Sequence, residues 1–194
     1  MAHVQAAPNE GAAKELYEQY QANLGYVPNY TKLFAWRPEV YRAWQELNGA
    51  IKQDMDLRRY ELVTLAAARE LRSSYCALAH GKVLRDEYLP AEQVRDAAID
   101  HHRAGLEPVD VAVMDFAEKV TRSPASVTRD DVKPLRQAGL SDPDIFDVAL
   151  AAAARCFFST VVEALGAQPD PAFHDVLEPD LREALTVGRP IAEA

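Results

Sequence analysis

Several things are scarce in this sequence, and each scarcity excludes something. Only two cysteines occur in 194 residues, Cys76 and Cys156. That is too few, too far apart, for the disulfide framework of a small secreted domain. Glycine is low, at 8 residues, and runs of β-branched residues are rare, which argues against sheet and for helix. There is no excess of positive charge. Lys and Arg number 21 against 30 acids, for a net charge of −9. This disfavours nucleic acid and anionic membrane as partners, since both require clustered basic residues. No window strings together the ~18 apolar residues of a membrane span. The start, MAHVQAAPNEGAAKE, lacks a basic region followed by an apolar one, so no signal peptide is expected. A soluble, cytoplasmic protein is the expectation.

What is present suits a globular all-α chain. Apolar residues make up 48% and aromatics 8%, ordinary values for a soluble domain. The length is enough to bury a core without disulfide or metal support. Residues 1–10 read as flexible, 11–167 as one helical domain with its motif core at 38–121, and 168–194 as a Pro- and Asp-rich tail with one short surface helix near 176–184. The tail helix is expected on the surface or on a neighbouring subunit.

Apolar periodicity places helices at about 12–24, 30–35, 38–53, 57–70, 74–88, 90–103, 108–121, 129–138 and 142–165. Leu16, Tyr20 and Leu24 form one stripe, and Val40, Trp44, Leu47 and Ile51 another; both are expected in the core. Ile99 and Phe146 are also expected to point inward. Gly25 is placed to end the first helix in the left-handed conformation. Asp56 is an N-cap, and the helix after it is apolar nearly all round, the mark of a central element. Glu61 stands out on it. It either belongs to a site, or points to solvent, or pairs with a cation such as Arg58.

The pattern shifts phase at Leu71-Arg72-Ser73-Ser74, where Ser73 or Ser74 can cap a new helix. Cys76 then lies in its first turn and His80 one turn later on the same face. Unpaired N–H groups and the positive dipole end at a helix start favour a thiolate. His80 is placed to accept the thiol proton. The alternative is a small buried cysteine beside a hydrogen-bonded core histidine. Cys156, among Ala and Phe in mid-helix, reads as structural. His101-His102 is a weak metal motif, because adjacent helical residues diverge by about 100° and no third ligand stands nearby in the sequence. No motif supports a nucleotide, flavin, haem or metal, so no cofactor is expected. A slide of 86 residues lays DLRRYELVTLAAARELRSS over DPDIFDVALAAAARCFFST. It matches Glu61 with Asp147, Arg69 with Arg155 and Ser73 with Ser159, a faint sign of a duplicated helical unit.

Glu61, then Ser73-x-x-Cys76 and His80, resembles the motif of the alkylhydroperoxidase D/carboxymuconolactone decarboxylase superfamily. That motif is a Glu, a Cys-x-x-Cys and a following His. The wording Ser74-Tyr75-Cys76-Ala77-Leu78-Ala79-His80-Gly81 is most similar to the branch called peroxidase-related proteins. Leu24-Gly25-Tyr26-Val27-Pro28-Asn29, Arg37-Pro38-Glu39-Val40 and Asp115-Phe116-Ala117-Glu118-Lys119 also suit it, so the resemblance spans roughly residues 15–170.

The resemblance implies that Cys76 attacks a peroxide, with His80 and Glu61 relaying the proton. Ser73, a supporting residue with Tyr75, stands where the resolving cysteine would be. A hydroxyl forms no disulfide, so an oxidised Cys76 depends on an external thiol reductant. Ser73 is expected to hold the thiolate or sulfenate by hydrogen bond, and Cys156 is a conceivable substitute partner. The expected activity is peroxide reduction by a single low-pKa cysteine. The alternatives are cofactor-free decarboxylase or proton-transfer chemistry on a carbonyl or carboxylate substrate, with Cys76 dispensable, and a non-enzymatic redox sensor. The resemblance also implies a homo-oligomer, from dimer to trimer or hexamer.

Overall fold

Local sequence signals set most helix ends. Gly25 takes φ 79° and closes α1, Gly11–Leu24. Pro38 opens α3, Pro38–Asp54, after the short α2, Asn29–Phe34. Asp56 accepts the Arg59 N–H at 2.7 Å and starts α4, Leu57–Glu70. The chain then runs through α5, Ser74–Glu87, α6, Ala91–Asp100, a 3-10 turn at His101–Arg103, and α7, Pro108–Arg122. A second 3-10 turn at Pro124–Ser126 leads to α8, Arg129–Gln137, which begins in a capping box of Thr128 and Asp131. Ser141 and Asp144 make another at the head of α9, Asp142–Ala164. Two short helices follow, α10, Phe173–Val176, and α11, Pro179–Leu185. The computed structural model describes residues 2–193, and no strand occurs among them. The protein is all-α, with a helical bundle as its architecture.

The centre is α4. Every residue from Tyr60 to Ala68 is buried, and the helix packs against α5, α7 and α9 at once. A helix enclosed on all sides carries apolar residues all round. Two buried or half-buried ion pairs fix its first turn. Arg58 makes a bidentate pair with the buried Asp110 of α7, at 3.0 and 2.7 Å. Arg59 reaches Asp144 at the head of α9, at 3.1 Å. Arg58 is therefore engaged elsewhere, and Glu61 is free to turn inward. α9 is long and apolar enough to cross a membrane by length and composition, yet it packs on α4, α7 and α3 as a core helix.

The junction between α4 and α5 is a Schellman turn. Ser73 N–H bonds Ala68 C=O at 2.8 Å and Arg72 N–H bonds Arg69 C=O at 2.9 Å. The left-handed position is held by Arg72, φ 54°, where glycine is usual. This turn sets the angle at which α5 leaves α4, and so where Cys76 points. The matching stretch of α9 has no such break. The helix runs straight through Ser159, so the sequence echo carries over as helix on helix and the helix–turn–helix is not repeated.

Some expected core positions lie outside. Val40 and Leu47 are exposed, as are Leu24, Ile99 and Phe146. On α3 the inward stripe is one step out of phase with that reading: Tyr41, Trp44, Asn48 and Ile51 face α9 and α4. A polar Asn48 at an inward position disguised the true face. The chain ends also pack. His3 N–H bonds Leu165 C=O at 2.7 Å, Ala7 N–H bonds Lys32 C=O at 3.1 Å, and Ala7 is buried. Met1, part of the stretch expected to be flexible, and Ala194, the last residue of the tail, lie outside the described residues. After Ala167 the chain returns across α5 and α6. Leu181 and Leu185 of α11 are buried there, against the expected surface placement.

Gly188 locks this return. Its N–H donates to Ser74 Oγ at 2.7 Å, and a Cβ on it would sit 1.9 Å from Arg72 O. Gly49 has open space around its Cβ position and lies in mid-helix. Gly188→Ala is expected to destabilise by about 1–3 kcal/mol, whereas Gly49→Ala should stabilise by about 0.5–1 kcal/mol. Urea unfolding of both variants checks the contrast.

Candidate active site

Five helices converge on a small cavity of about 180 Å³, α2 through Tyr30. α4 supplies Tyr60 and α5 supplies Tyr75, Cys76 and His80. α3 supplies Tyr41, Trp44, Asn48 and Lys52, and α9 supplies Arg155 and Phe158. The walls are mostly aromatic and the polar groups are few, as in a ligand site. Its size is below the roughly 300–1,000 Å³ of pockets that hold drug-sized molecules.

Glu61 is buried, and its Oε2 lies 2.5 Å from His80 Nδ1. Burial pushes the Glu61 carboxyl up, but His80, Lys52 and Arg155 outweigh it and hold the group below its ordinary value. Burial and the nearby Arg155 push His80 down, against the pull of Glu61. At neutral pH the pair is a carboxylate accepting from Nδ1–H of a neutral imidazole. The tautomer leaves Nε2 as an acceptor, oriented by Glu61. This is the arrangement of a general base with its positioning carboxylate.

Cys76 is the third residue of α5 and is buried. Its hydrogen-bond partner is Arg155, whose Nη1 lies 3.5 Å from Sγ. Nη2 of the same guanidinium donates to Tyr60 Oη at 3.4 Å, and Tyr60 donates to Asn48 Oδ1 at 2.6 Å. The guanidinium also lies 5.4 Å from the Phe158 ring and 5.8 Å from that of Trp44, within cation–π range. Burial works against the charge on Arg155; Cys76 and Tyr60 more than restore it. Lys52 adds a second cation, with Nζ 5.0 Å from the Tyr60 ring centroid.

Arg155 was not singled out by its spacing. The available signal was a lone arginine inside an Ala- and Phe-rich helix, ALAAAARCFF, since a charge on an apolar helix is informative when buried.

The other expected site residues separate. Ser73 is buried but makes no hydrogen bond to Cys76, so it does not hold the thiol. It lies by Glu163, whose carboxyl is pushed up by burial and partly drawn back by the Ser73 hydroxyl and Arg189. Tyr75 lines the cavity through its ring, while its hydroxyl donates to the buried Asp170. Cys156 is half-buried and free. It follows Arg155 on the helix, so its side chain diverges by about 100°, and it does not line the cavity.

Residues 38–119 match the model of the carboxymuconolactone decarboxylase family. The matched stretch takes in Glu61, Ser73, Cys76 and His80. No curated protein matches it. Among solved structures it is similar to an uncharacterized peroxidase-related protein with an alkylhydroperoxidase core from Ralstonia eutropha JMP134. The identity is 24%, over 88% of this chain and 94% of that one, with a TM-score of 0.76. An uncharacterized peroxidase-related protein from Silicibacter sp. TM1040 gives the same identity, 24%, and TM-score, 0.76, over 87% and 90% of the two chains. The debrominase Bmp8, solved as a cysteine-to-alanine variant with 2,3,4-tribromopyrrole, is 15% identical over 94% and 95% of the two chains, with a TM-score of 0.69. These likenesses concern the fold.

The sign of the pH dependence follows from the pair. Glu61 is held below its ordinary 4.5, so its charge contributes stability that is fully present above that value. The contribution is lost as pH falls through the folded value. His80 is held below 6.5, so its neutral form favours the fold above 6.5, again with loss on acidification. Glu61→Gln is expected to cost about 1–3 kcal/mol at pH 7. Thermal unfolding should show this gap from wild type shrinking below pH 4.5.

Proposed function

We propose that the protein is a thiol oxidoreductase that reduces a small peroxide with Cys76 alone and is restored by an external thiol. The observation that carries this reading is the Cys76 Sγ–Arg155 contact at 3.5 Å inside the aromatic cavity. Glu61 brings one negative charge, and Arg155 and Lys52 bring two positive ones. Arg155 is the cation that faces sulfur, so negative charge developing there during attack meets a donor already in place. A cation beside sulfur favours the nucleophilic form.

The cycle balances as follows. The thiolate attacks one peroxide oxygen and the O–O bond breaks. The departing alkoxide or hydroxide takes a proton from the site, the one His80 accepted from the thiol, and Cys76 becomes a sulfenic acid. One external thiol then forms a mixed disulfide and releases water. A second thiol attacks that disulfide and returns Cys76 as the thiol. Ser73 cannot shorten this route, so the reductant is intermolecular. A soluble, cytoplasmic setting supplies such thiols. The small cavity suits hydrogen peroxide or a short organic hydroperoxide.

Cofactor-free proton transfer is the second reading, favoured by the oriented His80–Glu61 pair beside two cations, which suits an anionic carbonyl or carboxylate substrate. Peroxide consumption with dithiothreitol as reductant separates the two. Cys76→Ser should abolish it, and His80→Ala should slow it by about 10²–10⁴-fold. Sulfenic acid trapped only at Cys76 would accompany turnover. Turnover of a carbonyl substrate that survives Cys76→Ser would replace the first reading with the second, and trapped sulfenate without any turnover would leave a redox sensor.

We propose also that the protein self-associates. Val4, Leu33, Trp36, Val40, Phe157 and Val161 line an apolar groove with almost no polar surface, and exposed apolar patches of this kind mark interfaces. Phe157→Glu should lower the sedimenting mass to that of a monomer.

A further inference from the structure

A second cluster of reactive side chains lies apart from the cysteine cavity and shares no residue with it. His101 and His102 stand on the 3-10 turn after α6, and Asp115 on α7. In an α-helix neighbouring side chains point apart. On a 3-10 turn they diverge by about 120°, yet here, with the Asp100 carboxylate accepting from the His102 N–H at 3.1 Å, both imidazoles swing back toward Asp115. Their ring centroids are 4.4 Å apart at 31°. The two expectations that set aside a metal at this place, divergent rings and no third ligand, do not hold.

Both rings aim the same atom at one oxygen. His101 Nε2 is 2.8 Å from Asp115 Oδ1, and His102 Nε2 is 3.0 Å from it. All three donor atoms lie within 4.8 Å of one another. With metal–ligand bonds of about 2.0–2.2 Å, neighbouring ligands on one ion stand ~3 Å apart, and each imidazole nitrogen stands about that far from the Asp115 oxygen. On its far side His101 presents Nδ1 to Glu118 Oε1 at 3.7 Å. At that distance Glu118 acts on the ring through its charge, and a small approach makes it the outer-shell partner that a ligating imidazole takes. Glu118 is itself held by Arg69 at 3.4 Å and Arg122 at 3.7 Å. The cluster is anchored at one end and open at the other, with side-chain exposure of 4% for His101, 48% for Asp115 and 56% for His102.

We propose that His101, His102 and Asp115 bind one divalent transition-metal ion, with Glu118 as the positioning carboxylate. Two imidazoles and a carboxylate suit zinc, nickel or copper rather than magnesium or calcium. The open side leaves at least one position for water or an outside ligand. The ion ties the turn after α6 to α7, and it requires neither Cys76 nor His80.

Zinc titration of the metal-free full chain by calorimetry tests this, with the Cys76→Ser/Cys156→Ser variant run in parallel to remove thiol ligands. One equivalent should bind in both proteins. His102→Ala and Asp115→Asn, both at exposed positions, should each weaken binding at least tenfold, and Glu118→Gln by about 10–100-fold. Cobalt(II) in place of zinc should give a spectrum without a thiolate charge-transfer band. Unfolding curves confirm that the variants are folded. No saturable binding, or one equivalent that persists unchanged in His102→Ala and Asp115→Asn, would overturn the assignment.

Discussion

The site depends on a cation placed out of water. Arg155 is 4% exposed, and removing a guanidinium from solvent costs on the order of several kcal/mol unless partners compensate. Its partners are unusual ones. A thiol, a phenol and two aromatic faces surround it, and among the described residues no carboxylate pairs with it directly. Its Nε has no hydrogen-bond partner among the described residues. The nearby carboxylate, Glu61, is committed to His80. The positive charge is thus left facing the cavity, where an anion forming on sulfur or on a bound substrate would meet it. Preorganised charge of this kind acts without reorganisation when the reaction begins.

The rest of the fold holds that charge in register. α4 carries Tyr60 and Glu61 on adjacent positions, and its ion pairs to Asp110 and Asp144 fix its rotation against α7 and α9. The Schellman turn at Arg72 then aims α5, so that Cys76 meets Arg155 and His80 meets Glu61. The returning C-terminal segment covers this turn through Gly188 and Ser74. A shift of one helical step at any of these places would separate sulfur from guanidinium.

Helix positions were readable because glycines, prolines and caps mark them in the sequence: Gly25, Pro38, Asp56, Thr128 and Ser141 all stand at helix ends. Inward faces were less so. On α3 the pattern Val40, Leu47 reads as apolar, but Tyr41 and Asn48 take the inner side because they serve the cavity. The Glu61, Cys76, His80 cluster was visible as a spacing on two helices. Arg155 was not, because it is 79 residues from Cys76 and only the packing of α9 on α5 brings it there. Ser73 shows the converse. Its place in the motif suggested contact with the thiol, but at the helix start its side chain turns toward Glu163. The paired histidines leave the backbone in different directions, and it is their shared partner Asp115 on α7, invisible in the local spacing, that draws both rings to one point.

The central claim is that Arg155 activates Cys76. The direct measurement is the alkylation rate of Cys76 by iodoacetamide at pH 7 in a Cys156→Ser background, with and without Arg155→Met, both folded. Methionine keeps the length of the side chain and removes the charge. The account predicts that the rate falls by roughly tenfold or more when the guanidinium is lost. An equal or faster rate in the Arg155→Met protein would contradict it.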